Sequence, residues 1–374
     1  MKILHIIDEL KVGGAQTHLE TMLVAAARQH PSFRHSVVGL TDPGPIGDRI
    51  QQTGVEVTSL GLAAAIRGRR LDLVTHALAR QIRSERPDVV EAHLTWSRLC
   101  GLPAAYAAGV PVRIGYEQGD IYFTSIPFRS ANFVLQLAAQ RIVVCSQALA
   151  DWAHKTHGIA RKRLWVMHNC VDVTRFTARV PGASGPRWGF GSSTCVFAAV
   201  GSLGYGVNKR VDVCLHGLAS ARKHGADVAL VIAGDGAQRE DLEKLAKQLG
   251  IAKWVRFLGV TSRVPEVLQG CDVFCHAAPF EPFGIVCVEA MACGLPVVVP
   301  DQGGMKEAVE PERTGIVYPA LDSEALGAAM VSLGRDSGRR QAFGAAGRRL
   351  AEARFSSGAY IATLYEAYAE LLSR

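Results

Sequence analysis

The sequence predicts an α/β protein built from two Rossmann-like, doubly wound domains. Three observations lead there. Short apolar runs alternate with amphipathic helical patterns along most of the 374 residues. The runs lack strict in–out alternation, as expected for strands covered on both faces in a parallel sheet. The alternation breaks once, at Pro181-Gly182-Ala183-Ser184-Gly185-Pro186, a linker composition, and then starts again.

In the first half, Ile3–Ile7, Ser36–Leu40, Val55–Leu60, Val89–His93, Val112–Tyr116 and Ile142–Cys145 read as strands. Ala15–Gln29, Leu71–Arg83, Ser97–Ala108 and Ala131–Gln140 read as helices. The second half gives strands at Val196–Val200, Val228–Ala233, Val255–Leu258, Val273–His276 and Val297–Pro300. Its helices are Lys209–Lys223, Arg239–Leu249, Val286–Ala292 and Ser323–Leu333. The expected domains are therefore 1–180 and 181–355, followed by a terminal helix over 356–374. That helix carries Tyr360, Ile361, Leu364, Tyr365, Tyr368, Leu371 and Leu372 on one face, which needs a partner surface. Either domain could supply it, and packing back on the first is an open expectation.

Composition narrows the function classes. With 48% hydrophobic and 20% charged residues, a disordered chain is excluded. No uncharged apolar run reaches the roughly 18 residues a membrane span needs. The N-terminal run ends at Asp8, too soon for a signal-peptide core, so a cytoplasmic protein is expected. The nine cysteines form no Cys-x-x-Cys pair and read as buried small hydrophobes. Cys271, Cys275 and His276 are the only close group of possible ligands. They lie on a strand without an evident fourth ligand, so no metal site is expected there.

Charge is uneven. Residues 1–180 hold 21 basic and 14 acidic residues; residues 181–374 hold 20 of each. The net charge of +7 thus belongs to the first half, where Arg67, Arg69, Arg70, Arg80, Arg83 and Arg86 cluster. Such a face meets an anionic partner or is simply solvated. Nucleic acid is not expected, since no zinc-finger spacing, basic zipper or RNA-binding signature occurs.

The densest chemical signal runs from Pro279 to Pro300. A strand ends in a loop carrying Glu281, Gly284 permits a tight turn into a helix, and Glu289 lies on that helix. The helix start offers the backbone N–H groups of Phe283, Gly284, Ile285 and Val286 to sugar hydroxyls or phosphates. Read alone, Glu281 is more simply a helix-capping acid and Glu289 a surface charge; the surrounding loop and helix change that. Lys209, after the loop Gly204-Tyr205-Gly206, is the best-placed cation.

This segment resembles the nucleotide-sugar site of family-4 retaining glycosyltransferases of group 1, which have the GT-B fold of two Rossmann-like domains facing across a cleft. Other pieces agree in order: Gly13-Gly14-Ala15, Asn169-Cys170-Val171-Asp172, Ile232-Ala233-Gly234-Asp235-Gly236, Phe257-Leu258-Gly259, Gly303-Gly304, Glu307 and Thr314-Gly315-Ile316-Val317. The resemblance implies transfer of a sugar from a nucleoside-diphosphate donor to a glycan or polyprenyl-linked acceptor, with no cofactor and no metal. It implies that Glu289 binds the ribose and that Glu281 contacts the donor sugar. Lys209, with Arg210, would stabilise the leaving diphosphate. Gly13, Gly14, Ala15, Gly234 and the Phe283–Val286 amides would line the donor. The first domain would take the acceptor, with His93 and Gln118 as candidate acceptor-side groups. Ser202 stands where the family usually has an arginine. A soluble acceptor, a nucleotide-sugar epimerase and a sugar-nucleotide-binding pseudo-enzyme remain alternatives, as does peripheral contact with an anionic membrane.

Overall fold

All strand pairings within the two sheets are parallel, and this dictates where loops and helices go. The computed structural model describes residues 1–118, 126–178, 187–204 and 209–373. The expected linker Pro181–Pro186 and most of the loop around Tyr205 lie outside the described residues. The chain divides into two units, Met1–Cys170 with Ser357–Arg374, and Val171–Ser356.

The first unit runs β1 (Lys2–Ile7), α1 (Gly14–Gln29), β2 (Arg34–Gly39), α2 (Gly44–Gln51), β3 (Glu56–Ser59), α3 (Ala63–Arg67), α4 (Leu71–Glu85) and β4 (Val89–His93). A π-helical turn, Ser97–Gly101, leads into α5 (Leu102–Ala107), β5 (Val112–Glu117), α6 (Ile126–Ala138), β6 (Arg141–Val144), α7 (Gln147–His157) and β7 (Leu164–Val166). The sheet order is β3-β2-β1-β4-β5-β6-β7.

The second unit runs β8 (Cys195–Val200), α8 (Val211–Lys223), β9 (Val228–Ala233), α9 (Arg239–Gln248), β10 (Val255–Gly259), α10 (Val264–Gln269), β11 (Val273–Cys275) and α11 (Ile285–Ala292). It continues with β12 (Val297–Pro300), β13 (Gly315–Tyr318), α12 (Ser323–Arg335) and α13 (Ser337–Arg354). The order β10-β9-β8-β11-β12-β13 reverses direction between β8 and β11. The chain then returns to the first unit as α14 (Ser357–Leu372).

Both faces of the first sheet are covered. Ile3 and Ile7 pack with Leu19, Met22 and Leu23 of α1 and with Tyr360, Leu364 and Tyr368 of α14. Leu4, Ile6 and Val90 face α4 through Val74, Leu78 and Ile82. This two-sided burial accounts for the unbroken apolar strands of the sequence. Every strand read from sequence is present, β4, β9 and β12 with the expected bounds and the others shifted by a residue or two at their ends. The strands β7 and β13 and the helices α2, α3, α7, α10 and α13 are additional to the sequence expectation. β7 is only three residues long. The buried side of α13 is Phe343, Gly344, Gly347 and Ala351, which makes no apolar stripe to read.

The units divide ten residues before the expected boundary at 180. Val171 N donates to Phe355 O at 2.8 Å, and Arg348 Nη1 donates to Phe176 O at 2.5 Å. These bonds hold 171–178 against the end of α13, so the stretch belongs to the second unit. The nine cysteines are all buried thiols.

The helix α11 is positioned from behind by α13. A Cβ on Gly344 would lie 2.0 Å from Gly294 O, so only glycine permits this approach. Gly344→Ala should therefore destabilise the protein by about 1–3 kcal/mol, despite alanine's better helix propensity. In urea unfolding the midpoint should fall with an unchanged slope. A midpoint equal to wild type would show that the two helices separate without cost.

Candidate functional site

In an open parallel sheet, ligands bind beyond the carboxyl ends of the strands where the strand order reverses. In the second unit that place lies between β8 and β11. Lys209 follows β8, and His276 and Glu281 follow β11, so the topology delivers all three to one edge. Lys209 Nζ lies 2.5 Å from Glu281 Oε2, and His276 Nε2 lies 3.6 Å from the same oxygen. The Lys209 and Glu281 side chains are 17% and 19% exposed, enough for a ligand to reach them. His276 is buried, and its Nε2 makes no hydrogen bond among the described residues. Its backbone is pinned on both sides: its N donates to Val298 O at 3.0 Å, and its carbonyl accepts from Tyr318 Oη at 2.9 Å.

The electrostatics follow from this packing. Burial alone would raise the Glu281 carboxyl. The His276 imidazole and the Lys209 ammonium outweigh that and bring it down to about 2. Burial lowers the His276 imidazole, with Glu281 opposing and Lys209 adding to the shift. Glu289, half-buried on α11, has no cation that close among the described residues. Burial pushes its carboxyl up to about 7, with Arg175 opposing.

Gly284 caps α11 with φ +79°, a left-handed conformation that suits glycine. A Cβ there would also lie 2.2 Å from Met305 Cγ. The helix begins at Ile285, one residue earlier than expected. The amides of Ile285 and Val286 belong to its first turn and have no intrahelical acceptor. Phe283 is buried against Phe355, ring centroids 5.8 Å apart, and so serves as an anchor for the loop. Arg210 caps α8 with φ +51°, and its guanidinium is directed at Asp212, 2.8 Å away. Lys209 and Arg210 therefore diverge. Gly234 is a packing glycine: a Cβ there would lie 1.9 Å from Gly201 O.

In the first unit the order reverses between β1 and β4. Asp8 bridges this point, accepting from Trp96 N at 3.0 Å and from Ser97 N at 2.6 Å. Gly13 precedes α1 in extended conformation. Gly14, the first residue of α1, is exposed, and a Cβ there would meet nothing within 4 Å. Ala15 follows half-buried in the first turn. Gln118 closes the described part of its loop, with Oε1 buried and unbonded among the described residues. Beside it, Glu117 forms a buried ion pair with Arg98 at 2.8 Å. His93 is fully buried, stacked on Tyr116 at 4.3 Å, and does not reach the surface.

From sequence, His276 is legible only as a metal-ligand candidate beside Cys271 and Cys275. The structure instead sets it against Glu281. The available signal is its place: it ends a strand at the reversal point, five residues before Glu281.

Residues 12–175 match the family model described as Glycosyltransferase Family 4, and residues 189–350 match Glycosyl transferases group 1. The alpha-maltose-1-phosphate synthase of Mycolicibacterium smegmatis is 32% identical over 237 residues, 59% of this chain and 60% of that protein. The GDP-mannose-dependent alpha-mannosyltransferase of Mycobacterium tuberculosis is 31% identical over 271 residues, 68% of this chain and 66% of that protein. The matched stretch thus spans less than two thirds of these relatives' own length. The crystal structure of Anabaena Alr3699/HepE in complex with UDP superposes with a TM-score of 0.83 at 21% identity, covering 99% of this chain and 100% of that chain. That likeness shows the fold, GT-B, with its two Rossmann-like domains.

The depressed Glu281 carboxyl carries a pH prediction. Its folded value lies below its unfolded one, so its stabilising contribution is present above about pH 4.5 and is lost as pH falls towards 2. The full contribution is about 3 kcal/mol. Glu281→Gln should flatten the dependence of urea-unfolding free energy on pH between roughly pH 5 and pH 3. Parallel curves for variant and wild type would remove the carboxylate from this balance.

Proposed function

The chain belongs to the group 1, family-4 glycosyltransferases, and from this premise we propose that it moves a sugar from a nucleoside-diphosphate donor, UDP- or GDP-linked, to a glycan or lipid-linked acceptor with retention at the anomeric carbon. The observation that carries the proposal is the Glu281 carboxylate, kept ionised between Lys209 and His276 at the strand-order reversal of the second unit. Breaking the anomeric bond builds negative charge on the diphosphate oxygen, and a fixed ammonium stabilises it most in the transition state. Lys209 supplies that charge; Arg210 is already engaged by Asp212. As Lys209 turns to the diphosphate, Glu281 is released to the donor sugar hydroxyls, with His276 still beside it. Glu289 takes the ribose hydroxyls, and the first amides of α11 face the donor. Gln118, at the carboxyl end of β5, is the acceptor-side group that this reading retains.

The acceptor reading rests on charge. Arg67, Arg69, Arg80, Arg83 and Arg86 are exposed on the first unit, and Arg70 is exposed with Asp72 as its partner at 2.7 Å. No helix among the described residues is long and apolar enough to cross a membrane. A basic face of this kind suits an acceptor held on an anionic membrane, each residue contributing about 1 kcal/mol.

Incubation with UDP- and GDP-sugars, read by mass spectrometry, should show slow donor hydrolysis with one of them; an isomerised sugar nucleotide would replace transfer by epimerisation. Lys209→Ala should lower kcat far more than it raises KM, and a kcat equal to wild type would leave the leaving group to another cation.

Glu289→Ala should weaken nucleoside-diphosphate binding by about 1.5–3 kcal/mol, roughly 10- to 100-fold, in calorimetry. Because the Glu289 carboxyl titrates near 7 and hydroxyl donors favour its ionised form, affinity should rise as pH increases through about 7, with proton release below it. Glu289→Gln should abolish that dependence. A pH-independent wild type would exclude the ribose contact.

Anionic vesicles should co-sediment the protein at low salt and release it as salt rises, while neutral vesicles should not bind it. Equal behaviour with both would favour a soluble acceptor.

A further inference from the structure

We propose that His5, Glu91 and His93 form a site for one divalent transition-metal ion, zinc by the chemistry of the ligand set, in the core of the first unit and separate from the donor residues. Register creates the cluster. His5 on β1 is the direct partner of Glu91 on β4, and His93 follows two residues later, so all three project from one face of the sheet.

The distances suit a metal. His5 Nδ1 and His93 Nε2 lie 2.9 and 3.5 Å from Glu91 Oε2, and one ligand atom from each residue falls within 4.8 Å of the others. Ligands about 2.0–2.1 Å from a tetrahedral zinc sit roughly 3.3 Å apart, in the middle of the two shorter separations.

The hydrogen bonding divides the same side chains into two sets of atoms. Among the described residues, His5 Nδ1, Glu91 Oε2 and His93 Nε2 find polar partners only in one another, and His93 Nδ1 has none. The outward atoms of His5 and Glu91 are held, while the His93 ring is placed by stacking on Tyr116. His5 Nε2 bonds His35 Nδ1 at 2.9 Å, and His35 Nε2 bonds Tyr365 Oη at 2.7 Å. Glu91 Oε1 accepts from Tyr116 Oη at 2.9 Å and from Tyr368 Oη. Ligand atoms that converge on one another, with an outer layer of hydrogen bonds orienting His5 and Glu91, are the arrangement metal sites use.

Charge supports the same reading. His5, Glu91 and His93 are each 0% exposed, and the ion-pair contacts of Glu91 among the described residues are these two imidazoles, with no lysine or arginine. A buried carboxylate without a cation is costly, and a divalent ion offsets it. Two imidazoles and one carboxylate accept zinc and also ferrous iron. The ion would tie β1 to β4 and, through Tyr365 and Tyr368, secure α14 on the sheet.

The test is elemental analysis of the full chain, purified after tag removal, without chelators or metal-affinity resin, from cells grown with zinc and iron. We expect about one zinc per chain after dialysis, and an X-ray absorption spectrum with two imidazole and one carboxylate ligands. Iron in the same stoichiometry and ligand set would keep the site and correct the metal. Glu91→Gln and His93→Gln should each lower the metal content to below about one tenth per chain. Chelator should lower the Tm of the wild type but not of a folded variant. Metal below about one tenth per chain in the wild type, or full occupancy in both variants, would overturn the proposal and leave a metal-free polar cluster. The wild-type measurement decides even if the variants do not fold.

Discussion

Parallel strand pairing is the constraint on which the other features depend. A parallel strand must return across the sheet through a connection, here mostly a helix, so helices cover the sheet and every strand ends on the same edge. The chain can therefore place residues 72 positions apart, Lys209 and Glu281, at one point without a dedicated scaffold. Reversal of strand order opens the space between β8 and β11 to a ligand. In the first unit the equivalent opening lies between β1 and β4, where Asp8 ties the β1 end to the turn after β4.

Two glutamates on one short stretch experience opposite electrostatics. Both lose hydration. Glu281 regains more than it loses from an ammonium and an imidazole, whereas Glu289 has only the weaker opposition of Arg175. One group is thus held as an anion, and the other is poised near neutrality. The distinction comes from neighbours supplied by other elements, β8 with its following loop and β11, and not from the local motif. The loop geometry that separates them rests on Gly284, whose backbone and contact with Met305 both exclude a larger residue.

The fold class and eleven of the strands are legible because two-sided burial leaves plain apolar runs. The unbroken apolar stretches of β8 and β9 are examples. β7 is not legible, because three half-buried residues make no periodic signal. The site is legible where chemistry is local, as in Glu281, Gly284 and Glu289. It is not legible where a partner is distant in sequence. Nothing around His276 shows that it faces Glu281, and nothing around His93 shows that Glu91 and His5 enclose it in the core. The basic cluster is exposed because its arginines lie before, after or on the outer side of α4 and not on its Val74, Leu78 and Ile82 face. The expected unit boundary is misplaced because composition marks a linker, whereas the hydrogen bonds of Val171 and Phe176 decide to which body the preceding stretch belongs.

The placement of α14 has a consequence for synthesis. Tyr360, Ile361, Leu364 and Tyr368 complete the core of the first unit, yet they emerge from the ribosome after all of Val171–Ser356. The second unit is contiguous and has its whole core available as soon as it is made. The first unit, begun earlier, must wait with the part of its sheet that α14 covers left open beside α1 until that helix arrives. Order of synthesis and order of completion are thus reversed, and the incompletely covered sheet is the species that chaperones would meet during translation.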